Sequence, residues 1–575
     1  MGFIFFLGIL YLHLATLTHA LWPLPTDLQL GPSYVRLAPN FDIALAAGLD
    51  AGAPGDLKAA LARTKHRIAN DRHARLVEGR GQTDVALLVD APTVSFLVLS
   101  LTAGDKPTQS IFVESVKPLP ERREKYSLSL PSDGTPATIQ ADSTLGLLRG
   151  LTTFEQLWYW SGGITYSYEA PVIIRDDCPL YPYRGFHLDT ARNFFPVKDI
   201  LRTLDAMNMV KMNMLQWHIV DSQSFPLDVA GYPELSERGA YDAQSRYLAE
   251  DVQEVVRYAG ERGIDVLVEI DTPGHTTSIA SSHPEHVACA NAEPWYNYAA
   301  EPPAGQLRIS SPGTRKFTAA LLKSIAATLP SSMFGTGGDE INMRCYLDDE
   351  QTRNELREAG LPVSDIGVNA ILDEFIKETH GALRDLKKTP VVWEEVALRH
   401  GLKNLSNDTI VTIWTDSDRA ADAVNEGFRI VHAPSNYFYL ASNQDCGGGN
   451  WLGDWPGGKS WCDPFKTWQK AMSFDPMELI KPSQAHLILG GQQLLWTEQA
   501  SPENLDSIVW PRAAASAEVF WTGPLRGSNR SYSEALPRLH DLRYRMVQRG
   551  INAIALPPHW CALRPAKCDS YVVPF

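Results

Sequence analysis

The sequence predicts an α/β protein: a (β/α)8 barrel over residues 179–575, preceded by a small α+β domain over 21–178. Eight apolar, strand-like runs alternate with helical segments from Tyr183 onward. Before them, short β-rich runs lead into one amphipathic helix. The stretch Asp176-Asp177-Cys178-Pro179-Leu180-Tyr181-Pro182, with two prolines, separates the two patterns.

Residues 1–20 stand apart. Gly2 to Leu17 is almost wholly apolar and uncharged, and Thr18-His19-Ala20 precedes Leu21-Trp22-Pro23. An apolar core ending at a small residue predicts a secretory signal cleaved near Ala20, hence an extracellular protein with no membrane association afterwards. No other stretch approaches the length of a membrane span. Three N-glycosylation acceptors, at Asn404, Asn407 and Asn529, suit that route.

In the first domain, strands are predicted at Val85–Val89, Ser95–Leu99, Ser110–Val113, Tyr126–Leu130 and Ala137–Ala141. Leu147, Leu148, Leu151, Phe154 and Leu157 then recur at helical spacing. The barrel strands are predicted at Tyr183–Leu188, Met212–His218, Asp265–Ile270, Met333–Gly337, Val391–Trp393, Ile410–Trp414, Arg429–Ala433 and His486–Gly490. Helices Lys198–Asn208, Ala249–Arg262 and Val368–Leu386 fall between them. Residues 437–474, rich in Gly, Asn and Trp, are too long for a simple connection and read as a functional loop.

Charge narrows the partners. With 52 Lys+Arg against 67 Asp+Glu the net charge is −15, which excludes a nucleic-acid binder, because phosphate partners need basic stripes. Seven cysteines in an oxidising compartment suggest the pairs Cys289–Cys345, Cys446–Cys462 and Cys561–Cys568, leaving Cys178 free. No closely spaced Cys/His quartet occurs, so neither a metal nor another cofactor is expected.

In a (β/α)8 barrel, chemistry collects where the strands end. Here those ends carry Asp189 and Arg192, His218 and Asp221, Asp271 and His275, Asp339-Glu340, Trp393-Glu394-Glu395, Trp414 and Trp496-Thr497-Glu498. Carboxyls move protons and Trp faces stack on sugar rings, so this set points to carbohydrate chemistry.

The ordered motifs Tyr183-Arg184-Gly185-Phe186-His187-Leu188-Asp189-Thr190-Ala191-Arg192, Trp217-His218-Ile219-Val220-Asp221, Asp271-Thr272-Pro273-Gly274-His275 and Gly337-Gly338-Asp339-Glu340 resemble family 20 glycoside hydrolases, the β-N-acetylhexosaminidases, in the style of the secreted fungal branch. The likeness covers residues 83–575. It implies a secreted, exo-acting, retaining enzyme that removes terminal GlcNAc or GalNAc, from chitin fragments among other glycans, with the substrate's own acetamido oxygen as nucleophile. It implies Glu340 as acid/base, Asp339 on the acetamido group, and Asp221 with His275 as a relay to Glu340. Arg192 and Glu498 are expected on sugar hydroxyls. Trp393, Trp414 and Trp496 are expected to wall the acetamido pocket, with Tyr439 and Asp445 as further contacts. Related enzymes are often homodimers, though no interface is legible in the residues.

Two departures stand out. Gly335 replaces the His usual two residues before Gly337, and four residues separate Tyr439-Leu440 from Asp445-Cys446-Gly447. They keep open a silent sugar-binding barrel. A conventional retaining glycosidase with Glu394 or Glu395 as nucleophile is the other alternative.

Overall fold

The computed structural model describes residues 20–50, 52–102, 108–440, 466–528 and 530–568. The segment before Ala20, Asp445, the Cys446–Cys462 pair and Asn529 lie outside the described residues.

The first sheet contains β1 (Leu28–Leu45), β2 (Thr93–Leu101), β3 (Tyr126–Leu130), β4 (Ala137–Ala141), β5 (Tyr159–Ser161) and β6 (Ile164–Asp177), in the order β1-β2-β4-β3-β6-β5. The long β1 serves two neighbours: residues 28–36 run antiparallel to β6, and residues 36–45 run parallel to β2. Helix Thr144–Gln156 is buried along its whole length, because it lies between this sheet and the barrel.

Two predicted strands are helical turns instead. Asp84–Leu87 forms one, leaving Leu87 and Val89 largely exposed. Ile111–Ser115 forms the other, because the Ser110 hydroxyl accepts from the Val113 N–H and starts a helix. Strand β1 and helix Gly55–Asn70 had no counterpart in the sequence reading.

The barrel is closed by eight parallel strands. These are β7 (Tyr183–Asp189), β8 (Met214–Val220), β9 (Asp265–Ile270), β12 (Met333–Gly337), β13 (Thr389–Trp393), β14 (Ile410–Ile413), β15 (Arg429–His432) and β16 (Ile488–Leu495). A two-residue ladder, β10 (Val287–Ala288) with β11 (Gln306–Leu307), sits in the long loop after β9. The eighth strand runs to Leu495, five residues past the predicted end, which brings Trp496 and Glu498 to the barrel's mouth. One residue from each strand, together with Leu119, makes a separate apolar layer: Tyr183, Met214, Leu267, Met333, Val391, Ile410, Val431 and Leu489. Above it the interior is polar. Tyr183 donates to Gln492 (2.7 Å), Gln492 donates to Gln216 (2.8 Å), and Gln216 donates to Glu269.

Charged and aromatic contacts lock the two parts together. Glu124 accepts from Arg149 (2.7 Å) and Arg184 (2.5 Å), all three side chains being buried. Burial opposes the charge on Glu124, but the two guanidinium groups overcome it and hold its carboxyl down at about 2. Trp22 is fully buried; its indole N–H donates to Ala514 O at 2.8 Å, and Arg538 lies 4.9 Å from its ring centroid. Disulfides Cys289–Cys345 and Cys561–Cys568 are formed, and Cys178 is free and exposed.

Candidate active site

The site starts from backbone that only glycine allows. Strand β12 stops at Gly337, and Gly337 and Gly338 take φ of 65° and 96°. A Cβ on Gly337 would fall 1.8 Å from Asp271 Oδ1, so no side chain fits there. Asp339 and Glu340 therefore leave a turn rather than an extended strand. Glu340 itself has φ of 51°, as His275 has 54°. The turn sends the two carboxyls to different surroundings: the Asp339 side chain is 9% exposed and Glu340 29%.

A line of polar contacts leads to Glu340. Glu269 Oε1 meets His218 Nδ1 at 2.7 Å, and His218 Nε2 meets Asp221 Oδ2 at 2.7 Å. Asp221 Oδ1 meets His275 Nδ1 at 3.1 Å, and His275 Nε2 lies 3.3 Å from Glu340 Oε2. Burial would neutralise His218, but Asp221 and Glu269 on either side hold its pKa up at about 9. Asp221 is held well below the usual carboxylate range by Arg192 and His275 against the cost of burial. His275 is raised, mainly by Asp221 acting against burial. Glu340 thus faces an imidazolium that is itself neutralised from behind.

Asp339 belongs to a second, proton-rich pair. Burial and the neighbouring Asp271 push its carboxyl well up, and burial lifts Asp271 to about 7. Asp271 Oδ1 accepts the Gly338 N–H at 2.8 Å, so it both shapes the glycine turn and faces Asp339. The pair thus holds a proton more readily than two separate carboxyls would.

Arg192 fixes the far side. Its guanidinium meets Asp221 (3.0 Å), Asp189 (3.4 Å) and Glu301, and stands 5.0 Å from the Trp496 ring centroid. Asp189 in turn accepts from Thr497 N–H (3.0 Å) and hydroxyl (2.8 Å), tying β7 to the end of β16. Glu498 is lifted to about 8 by burial and by Glu301. The aromatic wall follows from the strand ends. Trp393 and Trp496 lie 5.8 Å apart with His187 packed against both, and Trp414 and Tyr439 stack at 6.4 Å and 15°. Trp414 is held by Glu395, which accepts its indole N–H at 2.8 Å, and by Glu394, which accepts its backbone N–H at 2.9 Å.

The structure brings Arg192, Asp221, His275, Asp339, Glu340, Trp393, Trp414, Tyr439, Trp496 and Glu498 to one mouth of the barrel. Sequence reading missed Glu301, because it lies in a loop without periodicity, 109 residues from its partner Arg192. It also missed Glu269 and His218 as the start of the line; their burial on adjacent strands was the available signal. Gly335 has a plain reason. It pairs with Glu269 across β12 and β9, and a Cβ there would stand 2.8 Å from Glu269 Cβ.

Comparisons with known proteins agree with this geometry. Residues 181–524 match the model of the glycosyl hydrolase family 20 catalytic domain, and residues 21–157 match the one described as beta-acetyl hexosaminidase like. A beta-hexosaminidase of Arthroderma benhamiae is 33% identical over 530 residues, covering 89% of this chain and 84% of that protein. A chitooligosaccharidolytic beta-N-acetylglucosaminidase of Bombyx mori is 35% identical over 463 residues, covering 78% and 74%. The solved chitobiase of Flavobacterium johnsoniae shares the fold with a TM-score of 0.71 at 24% identity, covering 93% of this chain and 74% of that one. With the barrel, its carboxylate-lined mouth and the matched length taken together, the chain belongs to glycosyl hydrolase family 20.

Proposed function

We propose that this protein is a secreted, exo-acting β-N-acetylhexosaminidase that retains anomeric configuration through substrate-assisted catalysis. One observation carries the reading: Asp221 is hydrogen-bonded to His275, whose far nitrogen lies 3.3 Å from Glu340, while Asp339, beside them, is shielded and proton-rich. A single acid/base suffices if the nucleophile belongs to the substrate. Glu340 gives its proton to the glycosidic oxygen as the acetamido oxygen attacks C1 and the aglycone leaves. The Glu340 carboxylate then takes a proton from the water that opens the cyclic intermediate, which returns to it the proton it gave. Asp339 accepts the acetamido N–H. The positive charge that grows on the ring then favours the anion on Asp339, any proton the pair holds lying on Asp271.

A carboxylate nucleophile is poorly supported. Glu395 is lifted to about 8, chiefly by burial, which disfavours the anion a nucleophile needs, and Glu394 is fully engaged with Trp414 and Thr415. Arg192, Glu301 and Glu498 gather at one end of the site, which suits recognition of a terminal sugar's hydroxyls and so exo action. The name of the Bombyx mori relative favours β-GlcNAc-terminated chitin fragments as substrate. Secretion accords with the apolar segment before Ala20 and the two disulfides. Among the described acceptors, Asn407 is exposed, whereas the Asn404 amide is engaged by Asp373 at 2.9 Å.

The test pairs chromogenic β-GlcNAc and β-GalNAc glycosides with a thiazoline that mimics the cyclic intermediate. Hydrolysis with tight competitive inhibition is expected. Hydrolysis that the thiazoline leaves untouched would overturn substrate assistance, and no hydrolysis of either glycoside would leave a sugar-binding barrel.

A further inference from the structure

Away from the sugar site, His283-Pro284-Glu285-His286 forms a single turn in the loop that carries the chain from β9 to β10. Its backbone is pinned from one side. Arg308 N–H donates to His286 O (2.8 Å), and its guanidinium donates to Glu285 O (2.6 Å) and Val287 O (3.2 Å). Phe317 packs against both imidazoles, with centroids 5.0 Å from His283 and 4.2 Å from His286. The two rings are therefore held in place, not free on the surface.

Both rings face one carboxylate oxygen. Glu285 Oε1 lies 3.4 Å from His283 Nδ1 and 3.8 Å from His286 Nε2, and one atom from each of the three groups lies within 4.8 Å of the others. With metal bonds of about 2.0–2.1 Å, a tetrahedral ligand set has edges of about 3.3–3.4 Å, so one edge is made and a second nearly so. The far nitrogens are occupied too. Glu234 Oε1 stands 3.0 Å from His283 Nε2, and the Thr314 hydroxyl is 3.1 Å from His286 Nδ1. A carboxylate or hydroxyl behind a ligating His fixes its tautomer and its aim, which is how protein metal sites are backed.

We propose that His283, Glu285 and His286 form a binding site for a borderline divalent transition metal, Zn2+ foremost, with Glu234 and Thr314 as outer partners. Two nitrogen donors and one oxygen suit zinc and disfavour Mg2+ or Ca2+, which take all-oxygen sets. A Cys/His quartet is not needed for such a site, and the proposal departs here from the sequence expectation of no metal. The turn lies between His275 and the disulfide-bonded Cys289, so an ion there fastens the loop that carries Glu301 to Arg192 without entering the chemistry.

The test is Zn2+ binding to the full-length protein by competition with a chromophoric chelator, repeated with Co2+ and its visible absorption. Wild type is expected to hold one equivalent at micromolar free Zn2+. The double variant His283→Ala/His286→Ala, and separately Glu285→Gln, are expected to lose that equivalent. Glu234→Gln should weaken binding by about 10–100-fold through the outer contact alone. All are expected to keep the metal-free melting curve and the wild-type rate on a β-GlcNAc glycoside. Zinc that stays bound in the double variant and in Glu285→Gln would overturn the proposal, as would a wild type that binds none. An unchanged affinity in Glu234→Gln would reduce the site to adventitious surface histidines and equally sink it.

Discussion

Two of the buried charge clusters among the described residues are built on opposite arithmetic. Where the first sheet meets the barrel, one carboxylate, Glu124, sits between two guanidinium groups, and its pKa is held at about 2. At the barrel's mouth carboxylates outnumber cations: Asp271, Asp339, Glu301 and Glu498 are all raised, around Arg192, His218 and His275. A cluster with cations to spare keeps its carboxylate ionised and acts as glue. A cluster short of cations stores protons, which an acid/base catalyst needs near working pH.

The largest test of that contrast is Glu340→Gln. Removing the acid/base should lower kcat on a β-GlcNAc glycoside by about 10³-fold or more, within the upper range for general acid–base catalysis, while the urea midpoint stays put. Glu124→Gln should do the reverse. Leaving Arg149 and Arg184 buried without their carboxylate should cost about 3–5 kcal/mol by denaturant titration, with kcat of the folded fraction near wild type. Stability unchanged in Glu124→Gln would erase the distinction between the clusters.

Asp339→Asn sharpens it further. We expect a loss of about 10²–10³-fold in kcat, because the donor-orienting anion is gone. Stability at pH 8 should equal or exceed wild type, since a raised buried carboxyl is a destabilising group once it must ionise. A melting midpoint well below wild type would show that Asp339 is structural.

The smallest effect is in the pH profile, and its sign differs between clusters. Glu124 has a depressed folded pKa, so its stabilisation is full above about pH 4.3 and is lost as pH falls towards about 2. His218 has a raised one, so its stabilisation is full below about pH 6.5 and is lost as pH rises through about 9. Asp271 pulls the same way between about pH 3.9 and 7, because the folded state binds the extra proton. Glu124→Gln should therefore flatten the acid limb of wild-type stability and His218→Gln the alkaline limb, both read by thermal melts across pH.

How much of this was legible in the residues follows the same division. The barrel strands read well because they are buried on both faces and are therefore largely apolar, as in Val391 to Trp393. The site read well where a motif closes a strand, as at Asp339-Glu340. What failed was local. Val85 to Val89 looked like a strand by composition, yet Leu87 and Val89 face solvent, and exposure leaves no mark on a five-residue run. Ser110 capped a helix that β-branched neighbours had disguised. Glu301 was invisible because its role is set by Arg192 across a loop, not by its own neighbours.

Trp22 has a consequence for biosynthesis. Its indole bonds Ala514 and its ring meets Arg538, so a residue made among the first reaches its place only against residues made near the end. At roughly 5–20 residues per second, that partner emerges about half a minute to two minutes later. During that interval Trp22 waits as an unburied aromatic side chain on the nascent chain. Placement of this one tryptophan therefore marks the step at which the two halves of the molecule become one.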